Sequence, residues 1–110
     1  MTRKRTQRGA HGDAPGVIHQ PEARRFELPD PDSGAVAFIS YTRDEETVYI
    51  DSTVVPEHLR GRGLAGRLTR AALDEARNQG WTVVPRCSYV AAFITRNPEY
   101  ANLVSPQSPR

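Results

Sequence analysis

Lysine is almost absent from this chain: Lys4 is the only one, and every other basic side chain that stays charged is an arginine. A nucleotide loop of the Walker A kind needs a lysine directly after its glycines, so that class is excluded. Cysteine is reduced to Cys87, which excludes an internal disulfide and fits a reducing compartment. Aromatic residues are 7% of the chain, too few to interleave a basic face as a nucleic-acid surface does. No apolar run approaches the roughly 20 residues of a membrane span. The start of the chain, Met1 to Gly12, is basic but lacks the apolar stretch of a secretory signal. These absences predict a cytoplasmic protein with no membrane partner. His11 and His19 show no metal-ligand spacing, so no metal site is expected.

What is present fits one domain. A chain of 110 residues buries about two-thirds of its unfolded surface around one core. Its net charge of +2 is unevenly spread. Arg3, Lys4, Arg5 and Arg8 stand in a stretch without acids, while the other 11 basic residues face all 13 acidic ones. The sequence pI near 9.0 therefore reports the first residues rather than a basic fold. Residues 1–14 are read as a disordered basic tail, 15–104 as the folded domain and 105–110 as a Pro/Ser tail.

Hydrophobic periodicity gives the order of elements. Residues 17–29 fit one or two short strands, 35–43 a buried strand and 47–55 a longer β-branched one ending at Pro56. Short connections between them imply an antiparallel meander. The period then turns helical. Arg67, Arg70, Asp74, Arg77 and Asn78 share one solvated face, with Leu64, Leu68, Ala72 and Ala76 opposite and Gly80 closing the helix. A short strand over 81–85 and a second helix over 88–97 follow, with a possible extra turn at 99–104. The order β-β-β-α-β-α is an α+β domain: a mostly antiparallel sheet with two main helices.

The stretch "HLRGRGLAGRL" (58–68) contains G-x-G-x-x-G at Gly61, Gly63 and Gly66. A dinucleotide fingerprint would put its first glycine at a strand end and an acid about 20 residues on. Here four residues separate Pro56 from Gly61, and Val84, Pro85 and Arg86 occupy the acid's place. The glycines still let backbone N–H groups converge at a helix start, and Arg60 and Arg62 add charge, which predicts a phosphate or pyrophosphate ligand. A Gly/Arg-rich surface loop with no ligand is the bland alternative. Asp74 and Glu75 interrupt Arg67, Arg70 and Arg77, which argues against nucleic acid. His58 is read as a surface imidazole.

Val54-Val55-Pro56 followed by Arg60-Gly61-Arg62-Gly63-Leu64-Ala65 resembles motif A of the GNAT superfamily, the acetyl-CoA-dependent N-acetyltransferases. Pro85-Arg86-Cys87-Ser88-Tyr89-Val90 with Asn97-Pro98-Glu99-Tyr100 is similar to a segment of its small, single-domain, stand-alone members. The resemblance spans residues 17–104 and implies a minimal GNAT fold with acetyl-CoA as cosubstrate. It implies that the main chain at Val54 and Val55 pairs with the pantetheine arm. Arg60, Gly61, Arg62, Gly63, Leu64, Ala65 and Gly66 would wrap the pyrophosphate, and Asn97 would also contact the cofactor. The thioester would then lie between the strand ending at Val55 and the strand at Thr82–Val84.

Cys87 would stand at the start of the second helix, where the helix dipole and Arg86 favour a thiolate. Cys87 and Tyr89 are the candidate catalytic residues, as nucleophile and as acid. An inert, buried cysteine and a packing tyrosine are the alternatives. One departure matters: members of the subfamily carry His-Thr where this chain has Ser52-Thr53, which leaves the proton acceptor open. The acceptor is an unidentified amine, of a small molecule or a protein, and the oligomeric state a monomer or weak dimer. Two alternatives stand beside the enzyme: a CoA-binding module or sensor without turnover, and a nucleic-acid-associated protein using the basic tail.

Overall fold

The computed structural model describes residues 16–105. Both tail assignments therefore fall outside it, except for Ser105. The elements are β1 (Ile18–Gln20), β2 (Arg25–Pro29), β3 (Val36–Asp44), β4 (Thr47–Val54), α1 (Leu64–Gln79), β5 (Thr82–Pro85) and α2 (Ser88–Arg96). Short 3-10 turns cover Glu57–Leu59 and Pro98–Leu103. The sheet runs in the order β1-β2-β3-β4-β5; only the β4–β5 pair is parallel. The α+β class stands. Four strands precede α1, one more than the β-β-β-α-β-α order, because β1 is three residues long and too short to show a period.

Alternation along the strands decides which face is covered. Phe26 and Leu28 of β2, Ala37, Ile39 and Tyr41 of β3, and Val48 and Ile50 of β4 are all buried in one cluster. Onto it α1 lays Leu68, Ala72, Leu73 and Ala76, and α2 lays Val90, Phe93 and Ile94. The alanines keep the α1 backbone close to the strands, while the leucines fill the gaps between them. Fully buried Thr69 avoids an orphaned hydroxyl by donating to the Ala65 carbonyl at 2.8 Å.

The other face of the sheet is finished by polar pairs. The Arg25 guanidinium lies 3.7 Å from the Phe38 ring centroid and reaches Glu27 at 3.2 Å. The Ser40 and Ser52 hydroxyls are bonded at 2.8 Å, and Thr42 donates to Asp51 at 2.8 Å. Stacked guanidinium and paired hydroxyls leave little apolar surface for solvent there.

The helix face read as solvated is partly covered. Tyr100 Oη donates to Asp74 at 2.8 Å and accepts from Arg70 at 3.3 Å, while Arg77 donates to the Glu99 carbonyl at 2.7 Å. The 3-10 segment Pro98–Leu103 thus lies over Arg70, Asp74 and Arg77. A surface helix and one with a polar clasp share the same charge spacing, so periodicity could not separate them. Burial, then the hydrogen bond and charge of Asp74, push the Tyr100 phenol up to about 12.

Leu73→Ala should cost about 2–5 kcal/mol of unfolding free energy, read by chemical denaturation, since Leu73 is fully enclosed. A second expectation concerns alkaline pH. An unfolded tyrosine loses its proton near 10, whereas the folded Tyr100 holds it to about 12. The clasp's contribution is therefore complete below about pH 10 and is lost as the pH rises towards 12. Denaturation midpoints measured from pH 9 to 12 should show this fall, and Tyr100→Phe should remove its share of it.

Candidate functional site

The site forms where β4 and β5 part. Their parallel pairing runs from Thr47↔Thr82 to Ile50↔Pro85 and stops. At that point the Ile50 carbonyl accepts the N–H of both Arg86 and Cys87, each at 3.0 Å. On the other side of β4, Ser40 pairs with Ser52 but Tyr41 with Ile50, so Asp51 is an extra, bulged residue. A bulge bends its strand, and this one carries β4 away from β5 over residues 51–54. That stretch keeps β3 on one side and has no strand on the other.

Cys87 is the N-cap of α2, with extended backbone, and is half-buried. Its Sγ lies 3.5 Å from Thr53 Oγ1. Thr53 was not singled out from the sequence, although a signal existed. Core positions fall at 48 and 50, while the next side chain packed on the core, Val55, lies an odd number of residues on, a one-residue phase slip of the kind a bulge produces. Ser52, where the subfamily has histidine, instead faces Ser40 on the polar face. The guanidinium of Arg86, adjacent to the thiol in sequence, is engaged by Asp51 at 3.3 Å and lies over the Tyr49 ring at 4.4 Å.

Beyond Val55 the chain makes a 3-10 turn that buries Leu59, then the glycine loop. Gly61 and Gly63 have φ of 84° and 77°. A Cβ at either would meet nothing within 4 Å, so backbone conformation rather than space calls for glycine. Gly63 caps α1 without a side-chain hydrogen bond, and the first α1 bond runs from Arg67 N to the Gly63 carbonyl at 3.1 Å. The N–H groups of the preceding turn thus have no intrahelical acceptor, and no acidic side chain offsets the positive helix end. Arg60 braces the loop by donating from Nε to the Val55 carbonyl at 3.2 Å.

The structure gathers most of the sequence candidates here. A shallow pocket of about 140 Å³ is lined by Val55, Leu59, Arg60, Gly61, Gly63, Leu64, Ala65, Gly66 and Tyr89. Leu59, its buried member, was missed from the sequence. Tyr89 is 36% exposed, and its hydroxyl would lie at ordinary contact distance, 3.6 Å, from a Cβ on Gly66. Arg62 points the other way, 4.0 Å from Asp30 across a neighbouring groove. Val54 is exposed opposite Phe38 on the polar face. Asn97 stands apart. It caps the far end of α2, about 1.5 Å per residue over nine residues from Cys87, and its amide donates to the Phe93 carbonyl at 2.8 Å.

The histidines also find their places. His58 Nε2 is 3.1 Å from Ser33 Oγ on the surface. His19 belongs to β1 and stacks on Phe26 with centroids 4.1 Å apart. Among the described residues no group of three or more His, Cys, Asp or Glu is arranged to hold a metal, and no helix is long and apolar enough to cross a membrane.

A sheet covered on one face, a parallel pair splayed at a bulge, and a glycine loop opening the helix between them define the N-acetyltransferase type of α+β domain. The chain belongs to the GCN5-related N-acetyl-transferase family, whose model matches residues 25–103. Protein NATD1 of Xenopus tropicalis is 30% identical over 94 residues, 82% of this chain and 85% of the relative. Protein NATD1 of Danio rerio is 31% identical over 83 residues, 74% of this chain and 76% of the relative. The solution structure of a GCN5-like protein from Staphylococcus aureus shares the fold, with TM-score 0.65 at 22% identity over 86% of this chain and 89% of that one.

Gly63→Ala should cost about 1–2 kcal/mol of stability from its left-handed φ alone, measured by denaturation. The same change at Gly66, which is helical with ordinary van der Waals space, should cost far less.

Proposed function

We propose that this protein is an acetyl-CoA-dependent N-acetyltransferase whose donor lies along the open stretch of β4 with its thioester at Cys87. The observation that carries the reading is the 3.5 Å approach of Cys87 to Thr53 inside the splay, next to a loop of unsatisfied N–H donors. Family membership supplies the reaction class. The loop N–H groups from Gly63 onwards, with Arg60, would bind the pyrophosphate as helix starts bind anions. Main-chain groups of residues 51–54, which lack a second strand, would hydrogen-bond the amide groups of the pantetheine arm as an added strand does.

Two routes use that placement. In one, the Cys87 thiolate attacks the thioester carbonyl and the C–S bond to CoA breaks. The departing thiolate takes a proton from the Tyr89 phenol; the amine then attacks the acetyl-cysteine, whose C–S bond breaks to release the Cys87 thiolate, and the proton lost by the amine returns to the Tyr89 phenolate. In the other, the amine attacks the thioester directly, and N–H donors stabilise the oxyanion. The covalent route needs no separate base at the thiol once it is ionised. It suits a site where Ser52 stands in place of an imidazole and Asp51 is committed to Arg86 and Thr42. A module that binds CoA without turnover would use the same cradle.

Incubation with acetyl-CoA, followed by intact mass and peptide mapping, should place one acetyl group on Cys87. Cys87→Ala should still bind CoA by calorimetry while transfer to an amine panel falls by roughly a thousandfold or more. Undiminished turnover in that variant sinks the covalent route. CoA binding with no acetylated product from any amine identifies the binding module instead.

A further inference from the structure

The opposite end of the sheet carries a cleft that the proposed transfer does not use. Its volume is about 660 Å³, within the roughly 300–1,000 Å³ of small-molecule sites. It lies beneath the C-terminal end of α1, between the β1–β2 and β3–β4 turns, whereas the glycine loop follows the other end of β4. Rings form its floor. His19, stacked on Phe26, shares a 2.6 Å hydrogen bond from Nε2 with the Tyr41 hydroxyl, and the Trp81 ring lies 6.3 Å from that of Tyr41.

The walls are charged. Arg24 and Arg43 come from the two strand regions beside the turns, and Glu75 from α1. The guanidinium of Arg24 has no partner among the described residues. That of Arg43 donates to a carbonyl, Glu45 O at 2.6 Å, and lies over Trp81 at 4.8 Å rather than against a carboxylate. Glu75 is held by Gln79 at 2.7 Å. Glu45 also lines the cleft, so two arginines and two glutamates share its walls. Arg24 and Glu45 hold left-handed φ of 57° and 56°, as the two hairpin turns at the edge of the cleft require.

We propose that this cleft binds a small organic anion built on a flat ring, with the ring on the Trp81–His19 floor and the anionic group held by Arg24 and Arg43. Unpaired guanidiniums beside aromatic faces recognise that chemistry in both an aromatic carboxylate and a nucleoside monophosphate. The bland account, that the His19–Tyr41 bond merely pins the edge strand β1, does not explain the unpartnered Arg24.

Trp81 is the chain's single tryptophan, so intrinsic fluorescence reports on this cleft directly. The full chain is titrated with 4-hydroxybenzoate and with adenosine 5′-monophosphate, and with 4-hydroxybenzamide, adenosine and inorganic phosphate for comparison. A saturable change with either anionic ring supports the site, and which of the two binds names the class. Support also requires binding about tenfold weaker for its neutral counterpart, for phosphate and for Arg24→Ala or Arg43→Ala, as loss of a charge-assisted bond implies. It requires unchanged affinity in Gly63→Ala, which alters only the loop. No saturable response to either probe, binding indifferent to both arginine variants, or binding lost in Gly63→Ala overturns the proposal.

Discussion

One carbonyl organises this molecule. Ile50 O receives the N–H groups of Arg86 and Cys87 and so ends the parallel pairing of β4 with β5. Had β5 continued, only alternate N–H groups would have turned towards β4, each to a further carbonyl along it, and the two strands would have remained a closed ladder. Instead the chain turns into α2 directly, and the bulge at Asp51 draws β4 aside at the same level. Each event leaves backbone groups that the other makes room for. The result is an open strand edge with a thiol at its head, produced without a buried orphan donor.

The two helices depend on that geometry in different ways. α1 needs the exit of β4 because its first turn is fed by a loop whose left-handed glycines reverse the chain within a few residues. α2 needs the exit of β5, since Cys87 is both the last residue of the crossing and the helix N-cap. The Tyr100 clasp then ties the segment after α2 back to α1 through Asp74, Arg70 and Glu99. The two walls of the splay are thereby joined by polar contacts that apolar packing alone would leave free to slide.

Much of this was legible in the residues because local chemistry and global fold agree. The β-branched run of β4, the Gly80 stop, the Pro85 stop and the alanine-leucine stripe of α1 each permit one reading. The turn at Gly61 and Gly63 was legible because φ above zero is a backbone demand that glycine declares openly. What escaped were features that depend on distant partners. Arg70 and Asp74 look solvated until Tyr100 arrives from 26 to 30 residues away. The contact of Thr53 with Cys87 spans 34 residues and follows from a phase slip that periodicity averages over. Asn97 matched the family pattern, yet its amide serves the α2 terminus, a role that any helix-ending asparagine can take.

The choice of cation around the loop has its own consequence. Residues 16–105 contain no lysine; Arg60 lines the glycine-loop pocket, and Arg62 and Arg67 line the groove beside it. A guanidinium keeps its proton at any physiological pH, so it attracts phosphate without offering a nucleophilic nitrogen. The described N-acetyltransferase domain thus carries no lysine amine that could itself accept an acyl group. Exchange of Arg60 for lysine would conserve charge while adding such an amine at the rim of the glycine-loop pocket.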